Sequence, residues 1–218
     1  MQPMQRLRIT FSRGQEVKYI THLDLMRLWE RALRRAGIPV AYSEGFSPHP
    51  HLSLAAPLPV GVTSEGELMD LHLGRRISPH YFLKAVCAQL PKGVDIREVI
   101  EVTPKYPSIQ SQVRFAEYRV LVQTDREFKE IEQAISSLLA KESLPWQHMR
   151  DTGAHHYDLR ALIDDIWVEE RQGTRYLLGM RLRADSSGTG RAEQVTAALG
   201  FPEHPNSIHR TRLILARS

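Results

Sequence analysis

The feature that most constrains the fold is an order of strand and helix signals that occurs twice along the chain. On each side of a Pro-containing stretch, the hydrophobic periodicity predicts a strand, a helix, two strands, a helix and a final strand. The order β-α-β-β-α-β is the ferredoxin-like motif, with helices on one face of an antiparallel sheet. We therefore predict an α+β protein made of two tandem ferredoxin-like units.

The predicted units cover residues 1–103 and 112–218, and residues 104–111 are predicted to link them because Pro104 and Pro107 stand among Ser and Gln residues. In the first unit, strands are expected over 6–12, 52–56, 67–73 and 94–102, and helices over 21–36 and 78–90. In the second, strands are expected over 113–123, 166–170, 176–184 and 208–216, and helices over 125–141 and from about 191 to 200. A short strand and a His-rich loop are expected within 146–158.

Composition excludes two classes of protein. No apolar run approaches the roughly 20 residues that cross a bilayer, and the first residues lack a signal-peptide pattern, so no membrane association and a cytoplasmic location are expected. Cys87 is the single cysteine, whereas an iron–sulfur cluster typically takes several. The net charge of +4 and pI of about 9.3 are compatible with a nucleic-acid partner but do not require one.

Four arginines share one side of the first predicted helix, opposite an apolar face that is expected to pack on the sheet. They are Arg27, Arg31, Arg34 and Arg35. Such a row is either a solvated face or a surface for phosphates or an acidic partner, because a guanidinium binds phosphate through paired hydrogen bonds. We interpret it as one part of an RNA- or partner-binding surface.

The loop at residues 42–51 follows this helix and is the second candidate for binding. Its prolines stiffen the backbone, which lowers the entropy lost on binding. Phe46 indicates either burial or a contact role, because a connecting loop has no other need of a phenyl ring. The candidate binding residues here are Tyr42, Glu44, Phe46, His49 and His51.

His22 and Asp24 stand at the predicted start of the same helix, and a His–Asp pair can transfer protons. Thr21 and Asp24 also resemble a helix cap, so no catalytic role is assigned to His22, Asp24 or His49, the three candidates. We expect the loop to lie against this end of the helix. Glu44, Phe46 and His49 of the loop would then be near His22 and Asp24. No metal or cofactor is expected, because the histidine spacing alone does not supply the three or four converging ligands that zinc takes.

Six segments of the chain resemble the radical-SAM-linked protein family of bacteria. They are Thr-His-Leu-Asp-Leu (21–25), Arg-Ala-Leu-Arg-Arg-Ala-Gly-Ile-Pro (31–39), Tyr-Ser-Glu-Gly-Phe-Ser-Pro-His-Pro (42–50), Leu-Pro-Val-Gly-Val (58–62), Tyr-Asp-Leu-Arg (157–160) and His-Arg-Thr-Arg-Leu (209–213). The resemblance implies a companion or fused domain of a cobalamin-binding-type radical-SAM enzyme, encoded near RNA-maturation genes. The tandem order is also similar, in fold only, to RNA-processing proteins of the CRISPR repeat-associated group.

Three hypotheses follow for the function. The first is a non-catalytic accessory module that binds RNA (tRNA or rRNA), a radical-SAM partner, or both, with arginines on phosphates and the loop on bases. The second is a metal-independent endoribonuclease that uses His22 or His49. The third is a protein-docking subunit whose basic face meets an acidic partner.

Overall fold

The structure is a computed structural model that describes residues 4–44, 46–103, 105–150 and 153–216. Gly45 of the loop and Pro104 of the predicted linker therefore lie outside the described residues. The chain divides into two compact units, Met1–Val113 and Arg114–Ser218. Both contain helices and antiparallel strand pairs, so the protein is of the α+β class.

The elements of the first unit are β1 (Gln5–Arg13), α1 (His22–Arg35), β2 (Leu52–Leu54), β3 (Thr63–Leu73), α2 (Pro79–Cys87), β4 (Ile96–Val102) and α3 (Ile109–Gln112). The strands lie in the order β2-β3-β1-β4, and each neighbouring pair is antiparallel. Alternate residues of β1 face the core, because successive side chains of a strand point to opposite faces. Phe11 packs edge-on against Trp29 of α1, with ring centroids 5.0 Å apart.

The other face of this sheet carries a buried charge cluster. Asp70 of β3 accepts hydrogen bonds from Arg6 and from Arg8, the latter at 2.8 Å and 3.1 Å. Arg6 also donates to the carbonyls of Tyr106 at 2.6 Å and Pro107 at 2.8 Å. The stretch expected to link the units is thus held onto the first unit, and its final residues form α3.

The elements of the second unit are β5 (Val113–Gln123), α4 (Phe128–Leu139), β6 (Pro145–Arg150), β7 (Gly153–Asp158), β8 (Ile163–Gln172), β9 (Arg175–Asp185), β10 (Gly188–Thr189), α5 (Ala192–Ala198) and β11 (Ser207–Leu215). The main strands lie in the order β8-β9-β5-β11, and the short β10 also pairs with β9. Strands β6 and β7 form a separate antiparallel hairpin. The region expected to hold one short strand and a loop therefore holds two strands, which pair His148 with His155.

One face of β9 forms the core of the second unit. Tyr176, Leu178, Met180 and Leu182 are fully buried, and the Tyr176 hydroxyl donates to the Arg126 carbonyl just before α4 at 2.8 Å. The intervening residues of β9, such as Gly179 and Arg181, therefore lie on the opposite face. In the part of the chain that the structure describes, no helix is long and apolar enough to cross a membrane.

Candidate nucleic-acid interface

Helix α1 begins where the sequence predicts a cap. The Thr21 side chain accepts a hydrogen bond from the Asp24 amide at 3.2 Å, and its hydroxyl donates to the Asp24 carboxylate at 2.7 Å. The hydroxyl bond holds the pKa of Asp24 below its usual range. The helix buries Leu25, Trp29 and Leu33 against the sheet, which fixes the direction in which the opposite face points.

The four arginines of α1 are all exposed. Arg27, Arg31 and Arg35 are spaced by four residues, so they lie about 6 Å apart along one side of the helix. These three line a groove, whereas Arg34 points elsewhere and is not part of its lining. The row predicted from the sequence is therefore divided into three groove residues and one residue outside it.

The groove runs between α1 and the segment after α2, and it encloses about 570 Å³. Its far wall is the stretch 88–91, and Ile20 and Leu28 supply apolar surface to the lining. Asp24 is the single acid among the lining residues, against three arginines. The groove is thus a concave, positively charged surface, and such surfaces attract polyanions.

The three guanidinium groups of the groove differ in the hydrogen bonds and ion pairs that they form with other residues. Arg35 donates to the side-chain oxygen of Gln89 at 3.1 Å and to its carbonyl at 2.6 Å. Arg27 forms an exposed ion pair with Asp24 at 3.4 Å. Arg31 has no hydrogen-bond or ion-pair partner among the described residues, so its donors are available to a ligand.

The loop at residues 42–51 folds back on itself as a short hairpin. Tyr42 pairs with Pro50, the Ser43 amide donates to the His49 carbonyl at 2.8 Å, and the His49 amide donates to the Ser43 hydroxyl at 2.9 Å. Phe46, near the tip of this hairpin, is fully exposed. Glu44 and His49 are exposed as well, and Tyr42 is half-exposed.

The expectation that this loop lies against the start of α1 is wrong. The Ala41 amide donates to the His72 carbonyl at 2.9 Å, and the His72 amide donates to the His51 carbonyl at 3.0 Å, so the loop is anchored at the end of β3. A helix of 14 residues separates this end from His22 by about 21 Å, because α1 carries the chain from one end of the sheet to the other. The described loop residues do not line the groove.

The candidate catalytic residues are likewise not brought together. His22 is exposed at the first position of α1, and the carboxylate of Asp24 is engaged by Thr21 and Arg27 rather than by an imidazole. His51 is exposed and its ring lies 5.9 Å from that of His72, whose pKa is lowered by burial. Among residues 4–44, 46–103, 105–150 and 153–216 there is no group of three His, Cys, Asp or Glu side chains placed to hold a metal ion.

Sequence reasoning missed the far wall of the groove and an aromatic residue beside it. Gln89 contacts Arg35, which is 54 positions away in the chain, and no local sequence pattern predicts a contact at that separation. Tyr19 precedes Ile20 of the groove lining, and its ring is 70% exposed with the Lys18 ammonium 5.0 Å from the ring centre. An aromatic residue next to a basic residue was the signal available in the sequence.

Comparisons with solved structures show a likeness of fold. A chain in the crystal structure of a Cbf5–Nop10–Gar1 complex is 13% identical with a TM-score of 0.50, over 97% of this chain and 49% of that one. A chain of the archaeal box H/ACA sRNP Nop10–Cbf5 complex is 13% identical with a TM-score of 0.47, over 96% of this chain and 48% of that one. A chain of an H/ACA RNP bound to a substrate RNA containing 2'-deoxyuridine is 15% identical with a TM-score of 0.47, over 96% of this chain and 47% of that one. This chain spans about half the length of these neighbours.

Among curated proteins, none matches the chain. A protein family does match it, over residues 6–192, which include most of both units and the whole of the groove. The chain therefore belongs to the family described as uncharacterized protein conserved in bacteria (DUF2344).

Proposed function

We propose that this protein is a non-catalytic accessory module that binds RNA through the groove of α1. The observation that carries the proposal is the set of three exposed arginines, Arg27, Arg31 and Arg35, in one concave surface with a single acid. Their spacing of about 6 Å along the helix lets successive guanidinium groups reach successive phosphates of one strand. The likeness to the Cbf5-containing complex concerns the fold and does not carry this proposal.

Two further parts of the proposal concern the fold and the partner. Each unit is proposed to be ferredoxin-like, which the strand orders β2-β3-β1-β4 and β8-β9-β5-β11 support. A radical-SAM enzyme is the proposed protein partner, and the support for it is the resemblance of the six segments named above. A cytoplasmic location, where the protein can reach RNA, belongs to the same proposal.

The proposal is tested by reversing one charge inside the groove and one outside it. Arg31 and Arg34 are both exposed on the same helix, but only Arg31 lines the groove. Arg31→Glu is expected to weaken binding of a fluorescein-labelled tRNA about tenfold at low salt. It is also expected to reduce the slope of log affinity against log salt by roughly 0.7 to 0.9.

Arg34→Glu is the matched control, because it makes the same change of net charge on the same helix. It is expected to alter the affinity much less than Arg31→Glu. Equal effects of the two variants would show that only overall charge matters and that the groove is not the binding site. No binding by the unmutated protein at low salt would contradict the RNA proposal itself.

A second candidate function is docking of a partner protein, favoured by the fully exposed Phe46. An exposed aromatic side chain is a common anchor at protein interfaces. If the protein only docks a partner and does so through this ring, Phe46→Ala abolishes capture of the radical-SAM enzyme while Arg31→Glu leaves capture unchanged and RNA binding is absent. The alternative of an endoribonuclease has no such observation in its favour, because neither His22 nor His49 is joined to a carboxylate among the described residues.

A further inference from the structure

The second unit carries an aromatic side chain that lies flat on the face of its sheet. Trp167 of β8 is directly opposite Gly179 of β9 in the antiparallel register. A Cβ atom at Gly179 would lie 2.0 Å, 2.2 Å and 2.4 Å from three adjacent atoms of the indole, Cε2, Nε1 and Cζ2. The indole therefore rests with its face over the glycine Cα, and only a residue without a side chain permits this contact.

This face is the one opposite to the core of the unit. Tyr176 and its alternate neighbours on β9 are buried in the core, so Gly179 lies on the other face of the strand. Trp167 is partly exposed, although one face of its ring is taken by the strand beneath it. The arrangement leaves part of a large aromatic ring accessible, parallel to the sheet and held in place by the backbone.

The charged side chains around this ring are paired with one another. Arg119, which is opposite Gly179 on β5, forms an ion pair with Glu169 at 2.7 Å. Arg181, two residues after Gly179, bonds to Glu117 at 2.9 Å and to Asp164 at 3.3 Å. Because these charges are compensated, the site has no preference for a phosphate, unlike the groove of the first unit. A flat and neutral group is the ligand that it fits.

We propose that Trp167 is a stacking platform for an unpaired base of single-stranded RNA. Each base presents a flat π-face to an aromatic ring, and the polar pairs beside the ring can meet the donors and acceptors at the edge of the base. This inference rests on the proposed function, because RNA supplies the base. It adds a second contact of a different chemical kind, which depends on the base and not on the phosphate charge.

The test uses a fluorescein-labelled oligo(U) and the same oligomer without bases. Trp167→Ala is expected to weaken binding of oligo(U) by roughly fivefold to a hundredfold, with the salt slope unchanged, because no phosphate contact is lost. Binding of the abasic oligomer is expected to be the same in the variant and in the unmutated protein. Trp167→Phe, which keeps an aromatic ring, is expected to restore most of the oligo(U) affinity.

Trp146→Ala is the matched control, since Trp146 is also partly exposed but lies in the β6–β7 hairpin. It is expected to leave oligo(U) binding unchanged. Equal oligo(U) affinity of Trp167→Ala and the unmutated protein would overturn the platform, while a loss in Arg31→Glu would still support the groove. An equal loss for the abasic oligomer would also overturn it, because the effect would then not depend on a base. If the unmutated protein binds tRNA but neither oligomer at low salt, the platform fails and the groove proposal stands. If it binds none of the three RNAs, both proposals fail.

Discussion

The Arg35 guanidinium donates two hydrogen bonds to Gln89, one to the side-chain oxygen at 3.1 Å and one to the backbone carbonyl at 2.6 Å. These bonds join the last turn of α1 to the segment after α2 and hold one of the three groove arginines in a fixed position. A side chain that is ordered before binding loses less entropy when the ligand arrives. Gln89 is therefore a positioning residue for the proposed phosphate contact.

Gln89→Ala removes the bond to the side-chain oxygen and leaves the backbone bond in place. We expect tRNA affinity to fall about two- to tenfold, because ordering one long side chain costs about 0.5–1.5 kcal/mol. The salt slope is expected to stay the same, since no charge is lost. Gln110→Ala, at an exposed position of α3 outside the groove, is the control. An unchanged affinity in Gln89→Ala would show that Arg35 needs no positioning.

Asp70→Asn is expected to destabilise the protein by about 3–5 kcal/mol in urea unfolding, because it leaves two buried guanidinium groups without their carboxylate. Asp70, Arg6 and Arg8 are all buried, and Asp70 is only 1% exposed. Glu101→Gln makes the same acid-to-amide change at an exposed ion pair with Arg76 and is expected to leave the unfolding midpoint unchanged. Similar midpoints for the two variants would contradict the importance of the buried cluster.

Phe46→Ala is expected to change the free energy of unfolding by less than about 0.5 kcal/mol, because the ring is fully exposed and packs in no core. Phe82→Ala, at a fully buried position of α2, is expected to cost about 3–5 kcal/mol. Thermal unfolding of both variants compares them directly. A large loss in Phe46→Ala would show that the ring is buried in solution and would remove it from the candidates for partner contact.

Glu117 makes stability depend on pH, because a hydrogen bond from Arg212 at 2.6 Å, helped by Arg181, holds the pKa of Glu117 below its usual range. A carboxylate with a depressed pKa contributes stability above its unfolded value of about 4.3, and the contribution is lost as the pH falls through the folded value. Near neutral pH, Glu117→Gln is therefore expected to have a lower free energy of unfolding than the unmutated protein. In acid, the difference is expected to be smaller.

Urea unfolding over a range of pH measures this difference. Arg212→Gln removes the strongest hydrogen-bond partner of the Glu117 carboxylate. This variant is therefore expected to lose less stability than the unmutated protein when the pH falls. A constant difference between Glu117→Gln and the unmutated protein at every pH would contradict the role of the carboxylate charge.

The sequence by itself determined the local features of α1. Its cap at Thr21 follows from a Thr three residues before an Asp at the helix start. Its buried stripe through Trp29 and the exposure of the opposite arginines depend on a repeat of 3.6 residues per turn. The α+β class followed in the same way, from periodicities that are readable within a few residues. Strand pairing altered the boundaries, as when β3 begins at Thr63, four residues before the expected strand, because its pairing with β1 continues to Arg13 and Ser64.

Only the tertiary structure decided which residues meet. It placed Gln89 across the groove from Arg35, excluded Arg34 from that groove, and anchored the loop of Phe46 at the far end of α1 from His22. It also placed Trp167 on Gly179, a contact that depends on the register of two strands. The physical reason is that these contacts join positions far apart in the chain, and their geometry follows from how whole elements pack rather than from the pattern within any one element.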